Sequence, residues 1–164
     1  MTGRTTVSIA HLAVMTGKSG ELVTHSLGSC IGVTLFDPVA KVGGLLHFML
    51  PMPGGKNESA AGPGMYCSDG VPLLFKTAYA QGAEKSRLIV CAAGGAQMID
   101  TRPGLAVGQR NRTILRKLLW KNSVVLAAED TGGNAPRTMS LDLATGRVSV
   151  SLGSTSTTLW SPAA

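Results

Sequence analysis

Short apolar and β-branched runs, punctuated by glycine and proline, fill the first fifty residues, and a helical rhythm enters only later. Val7 to Met15 reads as a first strand. Gly17-Lys18-Ser19-Gly20 signals a turn, and Glu21 to Leu27 reads as a second strand, broken by Gly28-Ser29. Ile31 to Phe36 is a β-branched run closed by the turn pair Asp37-Pro38, and Gly43 to Leu50 is the next strand, stopped by Pro51. Between Pro51 and Gly64 the chain is dense in Gly, Pro, Ser and Asn and has no period. Loops of that length are uncommon unless functional, so a flap or mobile rim is expected there.

Val71, Leu74, Phe75, Ala78 and Tyr79 then fall at helical spacing, which predicts a helix from about Asp69 to Gly82 with Pro72 in its first turn. Arg87 to Ala93 is a buried-strand pattern ending in Gly94-Gly95. A second helix follows near Gly108. There Val107, Ile114, Leu115, Leu118 and Leu119 face one way, and Arg110, Arg112, Arg116, Lys117 and Lys121 cover the rest. Ser123 to Ala128, Arg137 to Leu143 and Arg147 to Leu152 read as three closing strands, the last two joined by the hairpin-like turn Ala144-Thr145-Gly146. Clustered strands with two helices predict an α+β fold: a layered α/β sandwich of mostly antiparallel or mixed sheets. Neither repeat nor linker divides the chain, so residues 1–164 are expected to form one domain with its core at about 7–152 and a frayed tail at 153–164.

Composition narrows the class. The 164 residues suffice for one domain with a full core. The net charge is +6, but charged residues are only 15% of the chain against about 25% in typical domains, so the basicity sits on a sparsely charged surface. That basicity raises the possibility of a nucleic-acid binder, against which stand the 4% aromatic content and the lack of any recognisable nucleic-acid module. No apolar run reaches the roughly 18 residues of a membrane span, and the N-terminal apolar stretch is short and interrupted by Ser8 and His11, unlike a signal peptide. Cys30, Cys67 and Cys91 are an odd number, far apart, with no CxxC pair, which fits a reducing, cytoplasmic setting. No cluster of metal-ligand residues stands out, and no metal or cofactor is expected.

Chemistry concentrates where two strands meet. If Ile31–Phe36 and Gly43–Leu50 pair antiparallel, His47 comes beside the start of the first strand, near Cys30. An imidazole there can take the thiol proton, and the backbone of Gly28, Ser29 and Cys30 can offer N–H groups to a developing oxyanion. Cysteine is equally at home as a small buried apolar residue, and a histidine between Leu46 and Phe48 as a satisfied core residue; the residues alone leave both readings open. Cys67 and Cys91 lack such a neighbour and read as structural. Gly28-Ser29-Cys30-Ile31-Gly32 imitates a nucleophile elbow, but the segment after it is a strand where that elbow needs a helix.

Thr24-x-x-Leu27-Gly28-Ser29-Cys30, the Asp37 turn, Gly43-Gly44-x-x-His47-Phe48-Met49-Leu50-Pro51, Gly94-Gly95-Ala96, Gly108-Gln109-Arg110-Asn111 and Asp130-Thr131-Gly132-Gly133 together resemble the CheD family of chemoreceptor glutamine deamidases. The resemblance runs from about Val7 to Val150; its first two motifs are specific and the glycine-rich later ones individually weak. Tyr66-Cys67-Ser68-Asp69 departs from the family pattern, and His25 beside Thr24 is an unusual choice that would bring a second imidazole near the site.

The resemblance implies an α/β sandwich related to glutamine-deamidating toxins and a cysteine hydrolase that converts receptor glutamines to glutamates. It implies Cys30, His47 and Thr24 as the catalytic residues, with Thr24 orienting the imidazole; read without it, Thr24 is an ordinary strand residue. The implied partners are the cytoplasmic domains of methyl-accepting chemoreceptors and a CheC-type phosphatase. A regulatory module acting mainly by docking such a phosphatase or a receptor is the alternative. Gly94-Gly95-Ala96-Gln97 is either a backbone wall beside substrate or a strand-ending turn. Arg110, Asn111 and Arg112 either meet an acidic partner or form a solvated helix face.

Overall fold

The computed structural model describes residues 3–54, 61–98 and 106–163, and among them ten strands form two five-stranded mixed sheets. The first sheet has the order β1 (Arg4–Thr6), β3 (Glu21–Leu27), β8 (Arg137–Asp142), β9 (Val148–Leu152), β10 (Thr155–Trp160). The second has the order β2 (Leu12–Thr16), β5 (Val42–Phe48), β4 (Ile31–Asp37), β6 (Ile89–Gly94), β7 (Leu126–Thr131). Helices α1 (Cys67–Ala80) and α2 (Val107–Lys121) cover the outer face of the second sheet. The α+β sandwich expected from the clustered strands is the one observed.

Alternation of side chains along the strands sorts the core into two halves. Leu22, Leu27, Phe36, Leu45, Met139, Leu141, Val148 and Val150 fill the space between the sheets. Ile31, Val33, Leu35, Leu46 and Phe48 point the other way, onto Val71, Leu74 and Phe75 of α1 and Leu115 and Leu119 of α2. At about 1.5–3 kcal/mol for each large side chain removed from water, burial on both faces makes β4 and β5 the anchor of the fold. Every residue of these two strands is buried, as expected of a middle layer. The β4–β5 pairing is antiparallel over its whole length. The β1–β3 and β6–β7 pairs are parallel, the latter because α2 carries the chain across.

Several expectations need correction. The strand expected at Val7–Met15 is strand only from Leu12: the chain leaves β1 of the first sheet at Thr6, turns at Ala10 (φ 68°), and enters the second sheet as β2. Helix α1 starts two residues before Asp69, which puts Pro72 inside the helix, and Tyr79 lies half out of the core, edge-on to Phe75. The strand after α2 begins at Leu126, because the helix runs to Lys121 and Ser123 takes a left-handed φ of 59°. The tail is not frayed: after a turn at Gly153-Ser154, β10 pairs antiparallel with β9 from Thr155 to Trp160. Its exposed serines and threonines suit a solvent-facing sheet edge without showing apolar alternation. The middle of the expected flap, residues 55–60, lies outside the described residues.

Candidate active site

The pairing of β3 with β8 slips between Thr24, opposite Met139, and Leu27, opposite Arg137. Ser26, with φ 61°, is the extra residue of this bulge. Thr24 and Leu27 therefore both point into the core while His25 and Ser26 face solvent. His25 is turned away from the site, its Nδ1 lying 3.4 Å from Thr138 Oγ1, so the expected second imidazole is not there.

Beyond the bulge, the Gly28-Ser29-Cys30 turn is held by its carbonyls. Ala96 N–H donates to Gly28 O (2.8 Å), Asn111 Nδ2 to Ser29 O (2.9 Å) and Gly95 N–H to Cys30 O (2.8 Å). Gly94 has φ 112°, and a Cβ at that position would run into the Cys30 carbonyl, so only glycine lets β6 approach this closely. The Gly94-Gly95 segment is thus both a strand-ending turn and a wall behind Cys30. Gly28 N–H donates to Ser26 O at 3.0 Å. The N–H of Ser29 has no hydrogen-bond partner among the described residues, and that of Cys30 is directed at its own sulfur.

Gly32 pairs with His47 in the β4–β5 register, and strand alternation places Cys30 on the same face, one step diagonal to the imidazole. Such diagonal neighbours are roughly 7–8 Å apart at their Cα atoms, within reach of a long side chain. Gly32 makes room for the side chains packed over it: a Cβ there would lie 3.0 Å from Met139 Sδ, 3.1 Å from Leu27 Cδ1 and 3.5 Å from Thr24 Cγ2. Across the sandwich, Thr24 Oγ1 donates its one proton to Val7 O (2.7 Å). Its 2.7 Å contact with His47 Nδ1 is therefore one in which Nδ1–H donates. The proton accordingly sits on Nδ1 and Nε2 carries a free lone pair, buried and without a partner.

Burial pulls the His47 imidazole down from 6.5 to about 4, so the ring is neutral at pH 7. Burial also raises the Cys30 thiol, with its own backbone N–H working against the rise. At neutral pH the two groups are therefore a thiol and an uncharged imidazole. Cys67 and Cys91, both fully buried, are pushed by burial up to about 12 and about 11.

Asn111, expected either against an acidic partner or on a solvated helix face, is instead fully buried and bonds Ser29 O and Met49 O, both at 2.9 Å. The signal that reveals it is spacing: with Leu115 and Leu119 it occupies one i, i+4, i+8 row facing the sheet. Arg112 Nε donates to Gly95 O (3.0 Å), and Arg137 reaches both Gly94 O and Asp130 (3.3 Å each). Arg110 is exposed. Next to Ser29 a crevice of about 260 Å³ is lined by Ala96, Gln97, Met98, Val107 and Gly108. No group of three or more metal-ligand side chains comes together among the described residues.

A thiol, a basic nitrogen held in one tautomer, and the free N–H of Ser29 at the edge of a crevice are the kind of equipment a thiol-dependent hydrolase of amides or esters uses. The family model described as CheD chemotactic sensory transduction matches residues 49–152. The chain is 45% identical to the probable chemoreceptor glutamine deamidase CheD 1 of Syntrophus aciditrophicus, over 90% of this chain and 93% of that protein. It is 42% identical to the probable chemoreceptor glutamine deamidase CheD 2 of Anaeromyxobacter dehalogenans (90% and 94%) and 40% identical to the chemoreceptor glutamine deamidase CheD of Thermotoga maritima (88% and 88%). The chain belongs to the CheD family.

Proposed function

We propose that this chain, acting as a single domain, is a protein-glutamine deamidase of chemoreceptors in which Cys30 is the nucleophile, His47 the general base and acid, and Thr24 the group that orients the ring. The observation that carries the reading is the one-proton relay. The Thr24 hydroxyl, committed to Val7 O, obliges His47 to hold its proton on Nδ1 and leaves Nε2 bare.

An amide is a weak electrophile with a poor leaving group, so it needs a strong nucleophile, oxyanion donors and a proton for the departing nitrogen. Sγ of Cys30 attacks the glutamine carboxamide carbon as Nε2 takes the thiol proton. The new oxyanion is received by the N–H of Ser29. Imidazolium then protonates the nitrogen, the C–N bond breaks and ammonia leaves a thioester. Water, deprotonated by Nε2, attacks that thioester; collapse returns the thiol and releases glutamate. Charge builds on His47 only during the steps, where the Thr24 oxygen accepting from Nδ1–H steadies it.

The test is mass spectrometry of a receptor cytoplasmic fragment incubated with wild type and with Cys30→Ala. The expected result is a gain of about one dalton at selected glutamines with wild type only, since an amide has become an acid; conversion by Cys30→Ala would overturn the reading. The family resemblance supports two further parts of the proposal, a cytoplasmic location and a CheC-type phosphatase as second partner. None of the helices among the described residues is long and apolar enough to cross a membrane.

A further inference from the structure

We propose that Asn111 is a positioning residue that sets the distance between Cys30 and His47, an inference that rests on the reading of those two as the reacting pair. Asn111 lies on α2, outside the sandwich, yet its carboxamide nitrogen donates to Ser29 O and Met49 O, both at 2.9 Å. Ser29 immediately precedes Cys30, and Met49 follows His47 by two residues. The β4–β5 ladder ends with Ile31 opposite Phe48, so the next rung would set Cys30 opposite Met49. One NH₂ group occupies that place. It bridges the two strands where their own hydrogen bonds stop, and no other donor among the described residues takes either carbonyl.

The other end of the same side chain argues against a merely structural role. Asn111 Oδ1 is buried and has no partner among the described residues, a condition that lowers stability because the desolvated acceptor gains no bond in return. Leu115 and Leu119, in the same row of α2, meet the core with apolar side chains that carry no such penalty. A residue serving stability alone would satisfy both ends of its amide or be apolar. A half-satisfied amide kept in the core marks a place where geometry outranks stability. What the geometry fixes is the start of the cysteine turn relative to the end of the histidine strand.

The test uses the full chain as wild type, Asn111→Ala and Asn111→Ser, the last retaining one donor in place of two. Three quantities are measured: the pH dependence of Cys30 carboxamidomethylation by iodoacetamide, kcat and KM for a receptor fragment, and the melting temperature. In Asn111→Ala, kcat is expected to fall roughly 10- to 100-fold with KM within about threefold, the scale of a displacement near 1 Å. Cys30 alkylation is expected to slow in proportion at neutral pH and to match wild type at alkaline pH, where the thiol ionises without a base. The serine variant is expected to fall between, and it carries the comparison should the alanine variant fail to fold. Alkylation profiles of a folded variant that superimpose on wild type overturn the proposal, whatever happens to kcat. The alkylation readout needs no substrate, so it remains decisive for Asn111 even if Cys30→Ala proves to deamidate, the result that would sink the proposed function itself.

Discussion

At one end of the β4–β5 ladder Asp37 is fully buried. It accepts hydrogen bonds from the N–H groups of Val39 (2.9 Å), Ala40 (3.0 Å) and Glu84 (2.9 Å), and Arg87 closes on it at 2.9 Å. At the opposite end His47 is as deeply buried, but among the described residues its Nε2 has no partner, and neither has Oδ1 of Asn111. Burial alone would raise the Asp37 carboxyl; the Arg87 guanidinium and the backbone donors reverse this and hold it well below the usual carboxylate range. Burial acts on His47 unopposed and drives the imidazole down. The same pair of strands thus spends one end on satisfying a charge and keeps the other chemically unfinished. Buried polarity stabilises only where its partners are complete, and reactivity needs a place where they are not.

The comparison breaks most visibly if effects cross between the ends. Cys30→Ala is expected to reduce deamidation by at least about 10⁴-fold while leaving the melting temperature within a few degrees of wild type. Asp37→Ala is expected to do the reverse: its loss leaves three part-buried N–H groups without their acceptor and Arg87 with Glu84 alone, lowering the melting temperature by roughly 5–10 °C, with kcat of the folded enzyme unchanged. Circular-dichroism melts and single-turnover assays on both variants check this. A large kcat loss in folded Asp37→Ala would show that the two ends are not separable.

Thr24→Val sharpens the picture of the reactive end. It removes the acceptor for Nδ1–H and frees the tautomer, but the thiol and the ring remain. The expected loss is roughly 10- to 100-fold in kcat, smaller than for Cys30→Ala because a hydroxyl supplies orientation without the charge of an aspartate. Thr24→Ser retains the relay and is expected to stay near wild type. Equal losses for Thr24→Val and Cys30→Ala in single-turnover deamidation would remove the orienting role.

Much of this pairing was legible before any coordinates. Asp37-Pro38 announced the turn and the two β-branched runs announced the antiparallel strands, so His47 had to return beside the start of the first one. Strand alternation is a strong, short-range rule, and here both strands obey it. What stayed hidden depends on contacts distant in the chain or on local exceptions to pattern. Ala10 breaks Val7–Met15 by a left-handed turn without glycine, and β10 is held by Ser and Thr pairing with no apolar period to betray it. The bulge at Ser26 turned His25 outward and took the Gly28 N–H. Asn111 was masked by the charges on either side of it, although its spacing to Leu115 was readable.

The unpartnered imidazole also gives the pH response a sign. With His47 at about 4 in the folded chain, the acid limb of kcat/KM is expected near pH 4, well below the ordinary 6.5, because only the neutral ring accepts the thiol proton. Stability should follow the same group. Between pH 6.5 and about 4 the unfolded chain binds a proton that the folded chain refuses, so stability falls as pH drops through this window. The Asp37 contribution is fully present above its ordinary value of 3.8 and declines only as the pH falls below that. Denaturant midpoints measured across pH 3–7 separate the two ends, since His47→Asn should flatten the upper window and leave the lower one in place.

The smallest expected effect concerns encounter rather than chemistry. The net charge is +6, and on α2 Arg110, Lys117 and Lys121 are exposed, whereas Arg116 is held by Glu129 at 2.6 Å. Arg110 is the residue before Asn111, so part of this field lies beside the reactive end of the ladder, while Asp37 and Arg87 at the far end neutralise one another. Substrate helices of acidic character would be steered toward the first end only. Raising salt from about 0.05 to 0.5 M should then lower kcat/KM at limiting receptor fragment by roughly threefold, with kcat unchanged, because screening shortens the range of attraction without touching the buried pair. Lys117→Glu with Lys121→Glu should reduce both the low-salt rate and its salt dependence. A rate at limiting substrate that ignores ionic strength would show that the surface charge of α2 plays no part in bringing the glutamine to Cys30.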